Sequence, residues 1–275
     1  MDPVALNKVF HDHECAYYDE RFGIVHDESS AAAAEAEVTR LLGRGLAAGD
    51  TVLDVGSGTG WFAAGLQRAR PDITVLGLDL SAGMLGRAHD AGATGLIQGD
   101  ATCLPFADDS IPVVVGRGVL HHLPDPEAAL VEWRRVVRPD GAVVLSSEPT
   151  PIVETHGAWL LKGLLALPGL RGGLSQEDEF WELAAMAANL HTFTEPELRE
   201  LARTAGFTGI DLTTSGFAET LAMTASYATH GHNPDLAARV PWRAVTGAGA
   251  RADSWVWDRV LPARWRHTLT GRLRP

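Results

Sequence analysis

Residues 53–62 read LDVGSGTGWF. An apolar run ends in Asp54, and glycines follow at alternate positions, Gly56, Gly58 and Gly60. A strand, a glycine-rich turn and a helix in succession aim backbone N–H groups at whatever lies against the helix N-terminus. The stretch therefore predicts an α/β fold and a nucleotide-like ligand.

The elements on either side extend that pattern. SSAAAAEAEVTRLLGRGL (29–46) opens on a serine pair and continues in helix formers. TVLDV is a short apolar strand, as expected of one covered on both faces. WFAAGLQRAR reads as a helix ending before Pro71, ITVLGLDL as a second strand, and SAGMLGRAHDAG as a helix capped by Ser81. TGLIQGD and IPVVVGRG supply strands three and four. DPEAALVEWRRVVRPDG reads as a helix closed by Pro139 and Gly141, and AVVLSSEP as strand five. In FTEPELRELARTAGF, Thr194 and Glu197 have capping-box spacing, with Pro196 placed at the first helical position. TGIDLTTSGF and RHTLTGRLR would be the last two strands. The expected fold is a doubly wound, mostly parallel Rossmann-like sheet of about seven strands with helical cap insertions. Its parts divide into an N-terminal lid (1–30), a ligand-binding core (31–150), a helical cap (151–190), a return to the core (191–218), a second helical insertion (219–260) and a last strand (261–275).

Spacing narrows the ligand. The loop is G-x-G-x-G rather than the G-x-G-x-x-G of a pyrophosphate site. Asp54 precedes it, Asp79 ends the next strand about 20 residues on, and Asp100 follows the third. Several carboxylates around one cleft suit a cationic cofactor better than a diphosphate.

VLDVGSGTG, GLDLSAGML, GDATCLPFADDSI, VLHHLPDPEAAL and EWRRVVRPDGAVVL stand in this order over residues 50–148. Together they resemble the class I S-adenosylmethionine-dependent methyltransferases, in particular the small-molecule group that includes the ubiquinone/menaquinone-biosynthesis enzymes. HTFTEPELRELARTAGF resembles a later helix of that group. One departure is Ile111-Pro112, where the family often has an aromatic residue followed by Asp.

The resemblance implies S-adenosyl-L-methionine as cofactor and S-adenosyl-L-homocysteine as product. Gly56, Gly58 and Gly60 would surround the methionine end, and Asp79, with Leu80 beside it, the ribose. Met84 would lie over the adenine, the alternative being plain helix packing. Asp100 would accept from the adenine amino group, with Ala101 supplying backbone. Asp54 and His122 would complete the cofactor pocket. Tyr18, with Asp19, would fold over it from the N-terminal segment FHDHECAYYDERF. That segment also concentrates His11, His13, Glu14 and Cys15. Their spacing matches no familiar zinc site, and no metal is expected.

Methyl transfer needs a nucleophile held in line with the methyl carbon, and a base only if that nucleophile must lose a proton. His121 and His122 are the candidate bases. The chain lacks the Asn/Asp-Pro-Pro-aromatic motif of nucleobase and amide N-methyltransferases at the fourth strand. The expected acceptor is a small molecule or peptide-derived natural product, O-methylated first by preference. Tryptophans at 159, 181, 242, 255 and 257 suggest that the helical insertions line an apolar acceptor pocket. The rival readings are a cyclase that binds the same cofactor without methyl transfer, a nicotinamide-dependent oxidoreductase, and a non-catalytic partner.

Bulk properties set limits. The 275 residues are 45% hydrophobic with a net charge of −12. A core can form, and a nucleic-acid backbone is a poor partner for so acidic a chain. Two cysteines are too few for a disulfide framework. GAWLLKGLLALPGL is too short and interrupted for a membrane span. A cytoplasmic protein without membrane association is expected; the oligomeric state is unspecified.

Overall fold

The computed structural model describes residues 2–153, 190–232 and 239–275. Trp159, Trp181 and nearly all of the expected 151–190 cap lie outside them. The described chain opens with α1 (Pro3–Glu14), α2 (Tyr18–Phe22) and α3 (Glu28–Leu42). The alternating core follows: β1 (Thr51–Val55), α4 (Trp61–Ala69), β2 (Thr74–Asp79), α5 (Ala82–Asp90), β3 (Leu96–Gln98), β4 (Ile111–Arg117), α6 (Pro126–Val136) and β5 (Val137–Pro149). The remainder is α7 (Glu195–Thr204), β6 (Gly209–Ser215), α8 (Ala218–His232), α9 (Trp242–Ala252) and β7 (Thr268–Arg274).

The seven strands lie in the order β3-β2-β1-β4-β5-β7-β6. β1 to β5 are mutually parallel, and β7 runs antiparallel to both of its neighbours. The period-2 alternation of strand side chains divides the interior into two layers. Val52, Val113, Val115 and Val144 face α3 and α4. Leu53, Val114, Val143 and Leu145 face α6 and α7 around Trp133, which is fully buried. The Trp133 indole N–H donates to the Ala101 carbonyl at 3.0 Å, so this large side chain is buried without losing its hydrogen bond. A Cβ on Gly116 would lie 2.5 Å from Trp133 Cη2, which is why β4 carries glycine there.

Three boundaries differ from the sequence reading. α3 is capped by Asp27, not by the serine pair. Its carboxylate accepts from the Ser29 and Ser30 N–H groups, while the Ser30 hydroxyl accepts from the Asp27 N–H. α3 also stops at Leu42, where Gly43 adopts φ +68°. α6 ends at Val136, because Val137 already pairs with Ile111 of β4. The Pro139–Gly141 turn becomes an irregularity inside β5, and a Cβ on Gly141 would meet the Pro112 carbonyl at 2.5 Å. In α7, Thr194 and Glu197 do form the capping box, although Glu195 precedes Pro196 in the helix.

No helix among the described residues is long and apolar enough to cross a membrane.

Candidate active site

The strand order reverses between β1 and β4, and a crevice opens there at the carboxyl ends of the strands. The glycine loop forms its floor. The N–H groups of Gly56 and Ser57 both donate to the Leu78 carbonyl, at 2.8 and 3.0 Å, tying the loop to the end of β2. Gly56, Gly58 and Gly60 have φ of +70°, +54° and +81°, which L side chains rarely adopt. Each glycine has a different neighbour. A Cβ on Gly56 would strike Val119 Cγ2 at 2.4 Å, and one on Gly60 would strike Ala88 Cβ at 2.7 Å. A Cβ on Gly58 would meet nothing within 4 Å. Gly58 therefore borders open space, and its N–H donates to Asp79 Oδ2 at 2.8 Å.

Asp79 ends β2 on the cavity wall. Its other oxygen accepts from the Ser81 N–H at 2.8 Å. Burial raises its carboxyl above the usual carboxylate range, against the pull of those two N–H groups. Leu80, Met84, Asp100 and Ala101 share the wall. Met84 is also 2% exposed, so packing and cavity lining coincide in one side chain. Asp100 Oδ1 accepts from the Thr102 N–H and hydroxyl, each at 2.8 Å, which fixes the turn after β3.

The N-terminal helices close the other side. Val4, Asn7, His11 and Tyr18 reach the cavity. The first three follow helical spacing on one face of α1, a stripe the sequence reading missed because two of them are polar. Asn7 Nδ2 donates to the His122 carbonyl at 2.7 Å. Asp12 accepts from the Ser81 hydroxyl at 2.6 Å and from the Gly83 N–H at 3.1 Å, fastening α1 to the start of α5. Asp19 accepts from the Thr59 hydroxyl of the glycine loop at 2.5 Å and lies 3.1 Å from His26 Nε2. Burial alone would raise the Asp19 carboxyl, but hydrogen bonds from His26 and Thr59 and the charges of His26 and Arg87 lower it. The Tyr18 phenol is pushed up to about 12 by burial and by the Glu14 charge. The histidines and cysteine concentrated in this segment meet different neighbours: His11 faces His122, His13 packs against Tyr17, and the Cys15 thiol donates to the Asp12 carbonyl.

Three expected site residues lie off the cavity wall. Gly60 serves the close approach of α4 and α5. Asp54 is 1% exposed, beneath the loop. Burial pushes its carboxyl up to about 7; the Ser57 hydroxyl and the Arg117 charge oppose the rise, and the Asp79 and Glu37 charges add to it. It therefore faces the protein rather than the cavity, and of the three acids only Asp79 and Asp100 reach the wall. His121 stands behind His122, their ring centroids 3.9 Å apart, while His122 itself is on the wall.

His121 has a partner that the sequence did not disclose. Glu148, near the end of β5, is wholly buried. Its carboxylate accepts from the N–H groups of Val119, Leu120 and His121 at 2.9, 3.0 and 3.2 Å. His121 Nδ1 lies 3.0 Å from the same carboxylate. With the Nδ1 proton held by Glu148, Nε2 keeps its lone pair and can take a proton. The His121 carbonyl accepts from the Leu190 and His191 N–H groups, so the pair is held against the segment that leads into α7. Arg117, at the end of β4, is a further wall residue absent from the sequence reading.

Two family models match the chain: the methyltransferase domain over residues 53–145 and protein-L-isoaspartate(D-aspartate) O-methyltransferase over residues 6–94. An uncharacterized methyltransferase of Mycobacterium marinum is 36% identical over 102 residues, covering 36% of this chain and 39% of that protein. A malonyl-[acyl-carrier protein] O-methyltransferase of Methylococcus capsulatus is 38% identical over 114 residues, covering 39% of this chain and 41% of that protein. The matches thus span about two fifths of these relatives. Among solved structures, phosphoethanolamine N-methyltransferase 2 of Haemonchus contortus, in complex with S-adenosyl-L-methionine, superposes with a TM-score of 0.57 at 18% identity, covering 96% of this chain and 57% of that one. The [4+2]-cyclase SpnF superposes with a TM-score of 0.53 at 19% identity, covering 89% and 80%. The fold is the class I methyltransferase fold, a Rossmann-like, mostly parallel sheet with helical additions.

Proposed function

We propose that this chain is an S-adenosylmethionine-dependent methyltransferase acting on a small molecule. The observation that carries the reading is the wall at the sheet's switch point. There the open face of Gly58 lies beside Asp79, with Asp100 and Met84 beyond it. A cradle free at Gly58 and flanked by two carboxylates fits a ligand with ribose hydroxyls, an adenine amino group and a cationic sulfur. When bound, S-adenosylmethionine supplies a methyl group on positively charged sulfur.

The chain's own residues divide the remaining work. Asp79 accepts from the ribose hydroxyls while the Gly58 and Ser81 N–H groups hold it in place. Asp100 and the Ala101 backbone take the adenine edge, with Leu80 and Met84 as apolar walls. α1 and Tyr18 exclude water from above. His122 on the wall and His121, oriented behind it by Glu148, are the candidate bases for an acceptor that must lose a proton, which favours a hydroxyl acceptor over an amine. The finer reading, a peptide-derived or other natural-product acceptor in cytoplasmic specialised metabolism, stands on the motif resemblance. The likeness to the ubiquinone/menaquinone group is carried only as far as the cofactor half.

Calorimetric titration with S-adenosylhomocysteine is the test. Asp79→Ala and Asp100→Ala should each weaken binding by on the order of 10-fold, the usual loss for a charge-assisted hydrogen bond. Unchanged affinity in both would overturn the site, and NADH binding without S-adenosylhomocysteine binding would overturn the reaction class.

The likeness to SpnF supports a second reading, a cofactor-binding cyclase. Incubating candidate acceptors with methyl-labelled cofactor separates the two, because a rearranged product without label excludes methyl transfer.

A further inference from the structure

Arg117 differs from the other structurally tied arginines of the described chain. Arg135 donates to Glu132, to Asp108 and to the carbonyls of Leu104 and Phe106. Arg70, Arg266 and Arg272 are likewise tied by several hydrogen bonds. Arg117 donates no hydrogen bond to any described residue. Its Cζ lies 4.5 Å from the centroid of the Trp61 ring, and its Nε lies 3.6 Å from Glu37 Oε2. Glu37 is itself engaged by the Ser146 hydroxyl. The guanidinium is therefore positioned by a ring and a distant carboxylate, with its donor fork uncommitted, and it stands on the wall of the candidate active site.

The strand register places Arg117 at the root of the turn that carries His121. Arg117 pairs with Ser146 across β4 and β5, and Glu148 lies two residues further along. A Cβ on Gly118 would lie 3.8 Å from His121 Cε1 and 3.7 Å from the Ser147 carbonyl. Gly118, the residue after Arg117, thus borders the His121 ring and the strand segment that leads to Glu148.

We propose that Arg117 is a carboxylate-binding residue of this cavity. The inference rests on the cofactor reading for its setting, and on geometry alone for its chemistry. A planar fork with two parallel N–H donors matches a carboxylate in bidentate fashion. Glu37, Asp54, Asp79 and Glu219 lie around the region, so added negative charge is penalised, and a carboxylate monoanion less than a phosphate dianion. The carboxylate has two possible sources, the acceptor or the methionine end of the cofactor, and three probes distinguish them.

Binding of S-adenosylhomocysteine, of methylthioadenosine (which lacks the carboxylate) and of benzoate in the presence of S-adenosylhomocysteine is measured for the wild type, Arg117→Lys and Arg117→Gln. The expected result is a loss of 10-fold or more for a carboxylate-bearing probe in Arg117→Gln, a smaller loss in Arg117→Lys, and unchanged methylthioadenosine affinity, which also certifies the fold. Loss confined to S-adenosylhomocysteine assigns the fork to the cofactor's carboxylate. Loss confined to benzoate assigns it to the acceptor. Equal affinities for all three proteins with every probe overturn the proposal. A wild type that binds methylthioadenosine and S-adenosylhomocysteine equally, with no benzoate bound, overturns it as well. A wild type that binds neither adenosine probe overturns the cofactor reading instead, and the benzoate series still decides the role of Arg117.

Discussion

His121 Nδ1 lies 3.0 Å from Glu148 Oε2, and that carboxylate also gathers three consecutive backbone N–H groups. One buried side chain therefore shapes the turn after β4 and orients the imidazole on it. The two roles separate by substitution. Glu148→Ala leaves three buried donors unpaired and should cost on the order of 3 kcal/mol, read from urea denaturation. Glu148→Gln keeps an acceptor oxygen for the turn but loses the charge that holds the Nδ1 proton. Once an acceptor is in hand, its kcat should fall by roughly 10²–10⁴-fold with S-adenosylhomocysteine affinity preserved. Equal loss of both would make Glu148 purely structural.

Gly58 and Gly60 both have positive φ, yet they should fail differently. Gly60→Ala drives a methyl group into Ala88 and should destabilise the fold by about 2–4 kcal/mol, the sum of backbone strain and overpacking. Gly58→Ala meets no protein atom and should cost only about 1–2 kcal/mol in melting experiments. Its methyl group would stand where the ligand is expected, so binding of S-adenosylhomocysteine should suffer far more than stability. Wild-type affinity in Gly58→Ala would move the ligand elsewhere.

Asp54 predicts a pH dependence. Its folded value of about 7 lies above the ordinary 3.8. Between these values the unfolded chain releases the proton while the folded chain keeps it. The stability contribution is therefore full below about pH 4 and is lost as pH rises toward 7. Asp54→Asn should flatten the fall in melting temperature across that window relative to the wild type. Parallel curves would show that Asp54 ionises freely in the folded protein.

Asp19 acts in the opposite sense. Its folded value is lowered, so its contribution is present above 3.8 and is lost as pH falls through the lower folded value. Asp19→Ala removes the bond to Thr59 that fastens α2 to the glycine loop and the bond to His26 that ties α2 to the segment after it. Hydrogen exchange in residues 3–22 should rise at neutral pH while exchange in β1 and β4 stays slow. Unchanged exchange would show that Asp12 and Asn7 suffice to hold the segment.

The sequence alone determined the parallel sheet, the glycine loop and the acids at the strand ends, because each is a local pattern. Strand periodicity, turn residues and cap spacing act within about a dozen residues, and LDVGSGTGWF with Asp79 and Asp100 was legible on those terms. Tertiary structure decided what depends on distant neighbours. Gly60 is required by Ala88 and Gly116 by Trp133, neither of which is adjacent in sequence. Asp54 lies on the same strand as the loop, yet it turns beneath it, where burial rather than a ligand governs its carboxyl. Glu148 reads as an unremarkable acid near the end of β5 until the β4–β5 register brings it beneath three backbone amides and His121. Arg117 draws no notice in the sequence; it becomes informative only because the surrounding fold leaves its donors unused. A pairing between residues about 30 apart is set by sheet register and by the cost of leaving buried polar groups unpaired, and no local pattern encodes either.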